Sequence, residues 1–109
     1  MRRTILGRGL AAGLVLLLLP VAGRAEDVEI TMRDKQFAPQ QIVIDRGTVV
    51  HFLNQDGMSH NVVSHEAGNP FDLQLQKPGE VRAMSFAEPG HYTVGCDLHP
   101  RMTLEIIVK

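Results

Sequence analysis

Three side chains in one short run could grip a metal ion. Cys96, His99 and Met102 are spaced Cys-x-x-His-x-x-Met, within seven residues. A thiolate, an imidazole and a thioether form a soft donor set, and together they select copper. Zinc uses Cys and His but gains nothing from Met, and its structural sites take four such ligands. An iron–sulfur cluster needs more thiolates, and Cys96 is the single cysteine of the 109 residues. A binuclear copper centre would also need a second Cys.

A mononuclear copper site of this type takes two His and one Cys roughly in a plane, with Met weak and axial. The second imidazole must come from elsewhere among the five histidines. His60 is the candidate: it follows the turn Gln55-Asp56-Gly57 and opens the run His-Asn-Val-Val. His51 sits inside an alternating stretch, on the face opposite Val50 and Phe52, as a solvated sheet residue. His65 and His91 read as loop and turn residues. Met32, Met58 and Met84 are scattered, which argues against a Met-rich copper(I) relay; Met58 lies close enough in sequence to His60 to line the copper end. Cys96 as a hydrolytic nucleophile would need an activating base and an oxyanion site. No third member of a triad is evident, so the reading is not an enzyme.

These residues must be positioned by strands. Short alternating or β-branched stretches recur at 28–32, 40–44, 48–54, 60–64, 71–75, 81–86, 92–96 and 103–108. Turns with Gly or Pro separate several of them, at 45–47, 55–57, 77–79 and 88–90. This spacing predicts an all-β sandwich or barrel. The Cys96–Met102 run then falls in a tight loop between the last two strands, and Pro100 stiffens it. Segment 65–70 reads as the mobile loop.

The N-terminus has a different composition. Arg2, Arg3 and Arg8 precede a near-continuous apolar run over 10–21, and Gly23 and Ala25 are small residues before a possible cut. That order predicts a cleaved signal peptide over 1–25, too short in its apolar run for a membrane span. One copper-binding domain, 26–109, follows, and the mature chain is expected in the periplasm with no membrane span. Arg2-Arg3 also leaves open which export route is used. Without the leader, seven basic residues face twelve acidic ones, about five net negative charges. Such a charge disfavours nucleic acid and anionic membranes and suits a basic protein partner. An exported chain with a lone thiol needs a reason to keep it, and a metal ligand is one.

The chain resembles the cupredoxins, the type 1 blue copper proteins, and among them the amicyanin- and plastocyanin-like group. The likeness is carried by Gly47-Thr-Val-Val-His-Phe-Leu-Asn54, Met58-Ser-His-Asn-Val62, Phe86-Ala-Glu-Pro-Gly-His-Tyr92 and Cys96-x-x-His99-Pro-x-Met102. It extends over nearly all of the chain after the leader. The resemblance implies a Greek-key β-sandwich of about seven to eight strands. It implies one copper ion, cycling between Cu(I) and Cu(II), on His60, Cys96, His99 and Met102. The backbone N–H of Asn61 would point at the sulfur. His99 would sit at the surface within an apolar rim drawn from Met58, Leu98, Pro100 and Met102. The implied role is a monomeric one-electron carrier between redox proteins, such as a c-type cytochrome or a periplasmic dehydrogenase. Three positions depart from the pattern: Leu98 where relatives often have Pro, Leu104 where they often have Gly, and Arg101 in place of an apolar residue. The same ligands would also serve copper storage, tolerance or delivery, though such proteins usually add Met or His tracts that this chain lacks.

Overall fold

The structure, a computed structural model, describes residues 27–66 and 70–109. The expected leader over 1–25 and residues 67–69 of the expected mobile loop lie outside them. Nine strands follow in order: β1 Asp27–Arg33, β2 Gln36–Ala38, β3 Gln41–Ile44, β4 Val49–Asn54, β5 Val63–Ser64, β6 Phe71–Asp72, β7 Val81–Ser85, β8 Gly90–Cys96 and β9 His99–Val108. They form a four-stranded sheet, β2-β1-β4-β7, and a five-stranded sheet, β3-β9-β8-β5-β6. The pairs β1–β4 and β3–β9 are parallel and the others antiparallel. The architecture is the all-β sandwich that the strand spacing predicts.

Alternation makes the core. In β4, Val50, Phe52 and Asn54 point inward; in β9, Met102, Leu104, Ile106 and Val108 do so. Side chains alternate faces along a strand, so each strand presents one apolar row to the other sheet. Leu104 is fully buried in this row. Two of the turns read in the sequence, 45–47 and 77–79, close with backbone hydrogen bonds, whereas Gly90 of the expected 88–90 turn opens β8. Thr48 N–H closes on Asp45 O at 3.1 Å and Glu80 N–H on Lys77 O at 3.0 Å. Gly47 and Gly79 each take φ 87°, a left-handed value that favours glycine at the third turn position.

The strand count differs from expectation for local reasons. β2 is an added strand, joined to β1 by a two-residue turn in which Asp34 and Lys35 take φ 53° and 59°. Left-handed values at both central residues make a hairpin turn, but without glycine the sequence did not advertise it. The expected strand 71–75 stops after Asp72. The Asp72 carboxylate accepts the Gln74 N–H at 2.7 Å, and Gln74 turns to φ 70°; such local side-chain bonds compete with sheet pairing. The inward–outward order therefore flips: Leu75 is exposed and Gln76 fully buried. Finally, β9 begins at His99 rather than Thr103, so the expected ligand loop is a hairpin turn at Asp97 and Leu98 with Cys96 paired to His99.

Candidate metal centre

The centre lies where β4, β8 and β9 reach one end of the sandwich. The register jumps from Gly95↔Thr103 to Cys96↔His99, so residues 100–102 of β9 bulge opposite β8, and a bulge re-aims the side chains around it. Cys96 is turned inward and buried, inside the core cluster that also contains Met102. Gly95 allows the two strands to lie close; a Cβ there would meet Met102 O at 3.4 Å.

His60 is fully buried, and a polar belt fixes it. Its N–H donates to Gln76 O at 3.1 Å, and Gln76 N–H returns a bond to His60 O at 2.7 Å. The Asn54 amide nitrogen donates to Met58 O and Gln76 O, each at 2.9 Å, and Asn54 Oδ1 accepts Asp56 N–H at 2.9 Å. Asn54 thus folds the 55–59 loop back and delivers His60. The Gln76 amide nitrogen donates to Phe52 O and Glu80 O, each at 3.0 Å, while its Oε1 is buried without a partner.

Asp56 decides which nitrogen of His60 faces the site. The His60 ring, then the Lys35 backbone N–H, hold its carboxyl down at about 2 from an ordinary 3.8. An ionised carboxylate only accepts, so His60 Nε2 carries the proton and donates to Asp56 Oδ2 at 2.8 Å. Nδ1 is the nitrogen turned to the site. It faces Cys96 Sγ at 3.8 Å, and His99 Nδ1 lies 3.9 Å from the same sulfur.

These three donor atoms all lie within 4.8 Å of one another. A triangle with those sides has a centre between about 2.1 and 2.5 Å from every corner, the length of N and S bonds to a first-row metal. The donors fit such an ion. Asn61 N–H points at Cys96 Sγ at 3.4 Å, as expected. The Asn61 side chain also clamps the hairpin, accepting from Asp97 N–H at 2.8 Å and donating to Asp97 Oδ2 at 3.3 Å. A backbone N–H on a metal-bound thiolate orients it and tunes its electronics.

The structure therefore brings His60, Cys96 and His99 together and buries Met102 in the adjoining core. Asp56, Asn54 and Gln76 are supporting residues that the sequence reading missed. Asp56 was absorbed into a turn, although its place four residues before His60 was a usable signal. Of the expected rim, Leu98, Met58 and Pro100 are exposed; Met102 is 1% exposed and contributes only the floor of a groove beside His99. His51 pairs with Asp27 at 3.4 Å and His65 with Asp97 at 3.0 Å, and neither belongs to the donor triangle. The His65 ring and then Asn61 hold the Asp97 carboxyl below its ordinary range. His91 lies in β8 rather than a turn, beside Glu105.

Fold and donor set together define a mononuclear copper protein of the β-sandwich type. The chain belongs to the cupredoxin-like domain family, whose pattern matches residues 9–108. It is 28% identical over 108 residues to the methylamine utilization protein MauL of Methylorubrum extorquens, covering 96% of this chain and 93% of that one. It is 31% identical over 104 residues to a chloroplastic plastocyanin of Physcomitrium patens, covering 85% and 62%. A reduced amicyanin variant superposes with a TM-score of 0.71 at 20% identity, over 76% of this chain and 82% of that one. A copper-containing nitrite reductase from Thermus scotoductus superposes with a TM-score of 0.71 at 29% identity. This chain spans 22% of that reductase's length and 76% of its own.

Proposed function

We propose that His60, Cys96, His99 and Met102 hold one copper ion, and that the protein carries single electrons between redox proteins of the periplasm. Residues 1–25 would serve as the export signal, and 26–109 as the copper domain. One observation carries the reading: two imidazole Nδ1 atoms and one thiolate converge on a point at metal-bond distance, with Asn61 N–H on the sulfur. Bound there, copper supplies a one-electron couple. The chain's own residues limit rearrangement. Asp56 fixes the His60 tautomer, the Asn54–Gln76 belt fixes its backbone, and Asn61 ties the sulfur to the segment that carries His60. Such a preset site suits repeated electron exchange better than metal release. Half-buried His99 offers the ring edge nearest solvent. The plastocyanin that the chain is similar to supports a carrier rather than an enzyme.

The test is addition of copper(II) to the purified mature chain, followed by visible and electron paramagnetic resonance spectra. An intense visible band from thiolate-to-copper charge transfer is expected at one copper per chain, and Cys96→Ser abolishes it. A band that survives in Cys96→Ser refutes the ligand assignment. Rapid loss of the metal to a chelator would move the role toward copper storage or delivery.

A further inference from the structure

Beside His99 runs a groove of about 470 Å³, with Asp34, Lys35 and Gln36 on one wall and residues 99–102 on the other. Its charge is opposite to that of the chain. Arg101 and Lys35 are exposed, and Arg33 stands exposed just before the same β1–β2 turn. Among the described residues the only Lys or Arg within ion-pair distance of a carboxylate is Arg82, with Glu80. None of the three cations is ion-paired, and the groove lining carries Lys35 and Arg101 against Asp34, one net positive charge. Asp56 and Asp97 are charged but lie outside the groove lining, turned to their own partners, Asp56 to His60 and the Lys35 N–H and Asp97 to His65 and Asn61.

We infer that this groove is the contact face for a redox protein that carries carboxylates around its own exposed redox edge. The inference rests on the electron-carrier reading and names its partner class. Net charge alone would favour a basic partner, but charges within about a Debye length of the contact decide docking, roughly 8–10 Å at physiological salt. Lys35 and Arg101 share a groove with the accessible ligand ring, whereas most of the acidic residues lie elsewhere. Pro100 and the neighbouring Leu98 add the apolar surface that a small electron-transfer contact needs. The tip that presents Lys35 is also rigid. Its backbone N–H donates to Asp56 Oδ2 at 2.9 Å, the same oxygen that receives His60 Nε2–H. A partner pressing on Lys35 would touch a residue one carboxylate away from a copper ligand.

The test uses the copper-loaded, reduced mature protein and two small oxidants, the anion hexacyanoferrate(III) and the cation tris(phenanthroline)cobalt(III). One electron leaves the reduced site and reduces iron(III) or cobalt(III) to the divalent state; no bond or proton moves. Lys35→Glu and Arg101→Glu each change the local charge by two. At about 10 Å and low salt, Coulomb attraction screened by a Debye length of about 30 Å makes this worth roughly a twentyfold slowing with the trianion. Arg46→Glu is the control for net charge. It lies in the β3–β4 turn and bonds Lys109 O, at the far end of β9. Ten strand residues place it about 30 Å from His99, so its effect is below about twofold. The cobalt reagent should respond in the opposite sense, and all differences should collapse at high salt. If Lys35→Glu and Arg101→Glu slow hexacyanoferrate no more than Arg46→Glu does, the inference is overturned and a basic-faced partner takes its place. Lys35→Glu decides the matter if Arg101→Glu disturbs the copper spectrum. Failure to exchange electrons with either reagent would instead sink the carrier reading beneath it.

Discussion

Asn54 and Gln76 are two buried amides that share the same hydrogen-bond belt, yet their removal should cost very different amounts. Asn54→Leu deletes three bonds, to Met58 O, Gln76 O and Asp56 N–H. Each such bond contributes about 1 kcal/mol, and a buried group left without a partner costs about 1–3 kcal/mol more. Gln76 O keeps His60 N–H, so the total comes to about 3–5 kcal/mol. Gln76→Met, close in shape, deletes two bonds, to Phe52 O and Glu80 O. Glu80 O keeps Asn54 N–H, and the substitution also removes Oε1, which is buried without a partner. Losing two bonds and one orphaned acceptor nearly cancels, leaving about 1 kcal/mol or less. The assay is urea unfolding of the metal-free protein, followed by fluorescence of Tyr92, the single tyrosine in a chain without tryptophan. With a slope of about 1 kcal/mol per molar for a small domain, the two midpoints should differ by about 2–4 M. Equal midpoints would refute the reasoning, because Gln76 Oε1 would then be satisfied in solution. Copper(II) should also leave Asn54→Leu faster, since the 55–59 loop that delivers His60 is released.

Two further outcomes follow from the residues around the site. Asp56→Leu removes the acceptor that fixes the proton on His60 Nε2, and loss of such an outer partner typically weakens metal binding about 10–100-fold, measurable by chelator competition. In the metal-free protein the carboxyl of Asp56 is held down to about 2 from 3.8, so the stability it contributes is full above the unfolded value and is lost as pH falls from about 4 through 2; Asp56→Asn should flatten acid unfolding across that window. Leu98→Glu, on an exposed side chain beside the ligand ring, should slow exchange with a redox protein while leaving the copper spectrum unchanged, and an unaltered rate would place the contact face elsewhere.

The donor residues were legible because copper chemistry is local. Cys96, His99 and Met102 occur within seven residues, so one hairpin can present them wherever the strands lie. The sandwich was legible through the alternation of β4, β8 and β9, whose buried rows are apolar apart from Asn54. What escaped is what depends on backbone turns with no glycine to mark them. The Asp34-Lys35 turn and the Gln74 break each take left-handed values at residues that rarely adopt them.

Those two breaks have larger consequences for the site than their size suggests. The first creates β2 and brings Lys35 to Asp56 and to the groove beside His99. The second reverses the face of the chain and sends Gln76 rather than Leu75 inward, under His60. A strict reading of period-two alternation would have left His60 without its backbone partner and Leu75 in the core. His60 is therefore held by long-range pairing, with Asn54 and Gln76 each contributed by a different segment. His99 depends on a local turn between adjacent strands. The half of the site that needs tertiary structure is the buried one, and the half that a short sequence run encodes is the one nearest solvent. Rigidity and access are divided between the two imidazoles: changes in the belt should register first in metal retention, and changes in the hairpin first in the rate of exchange.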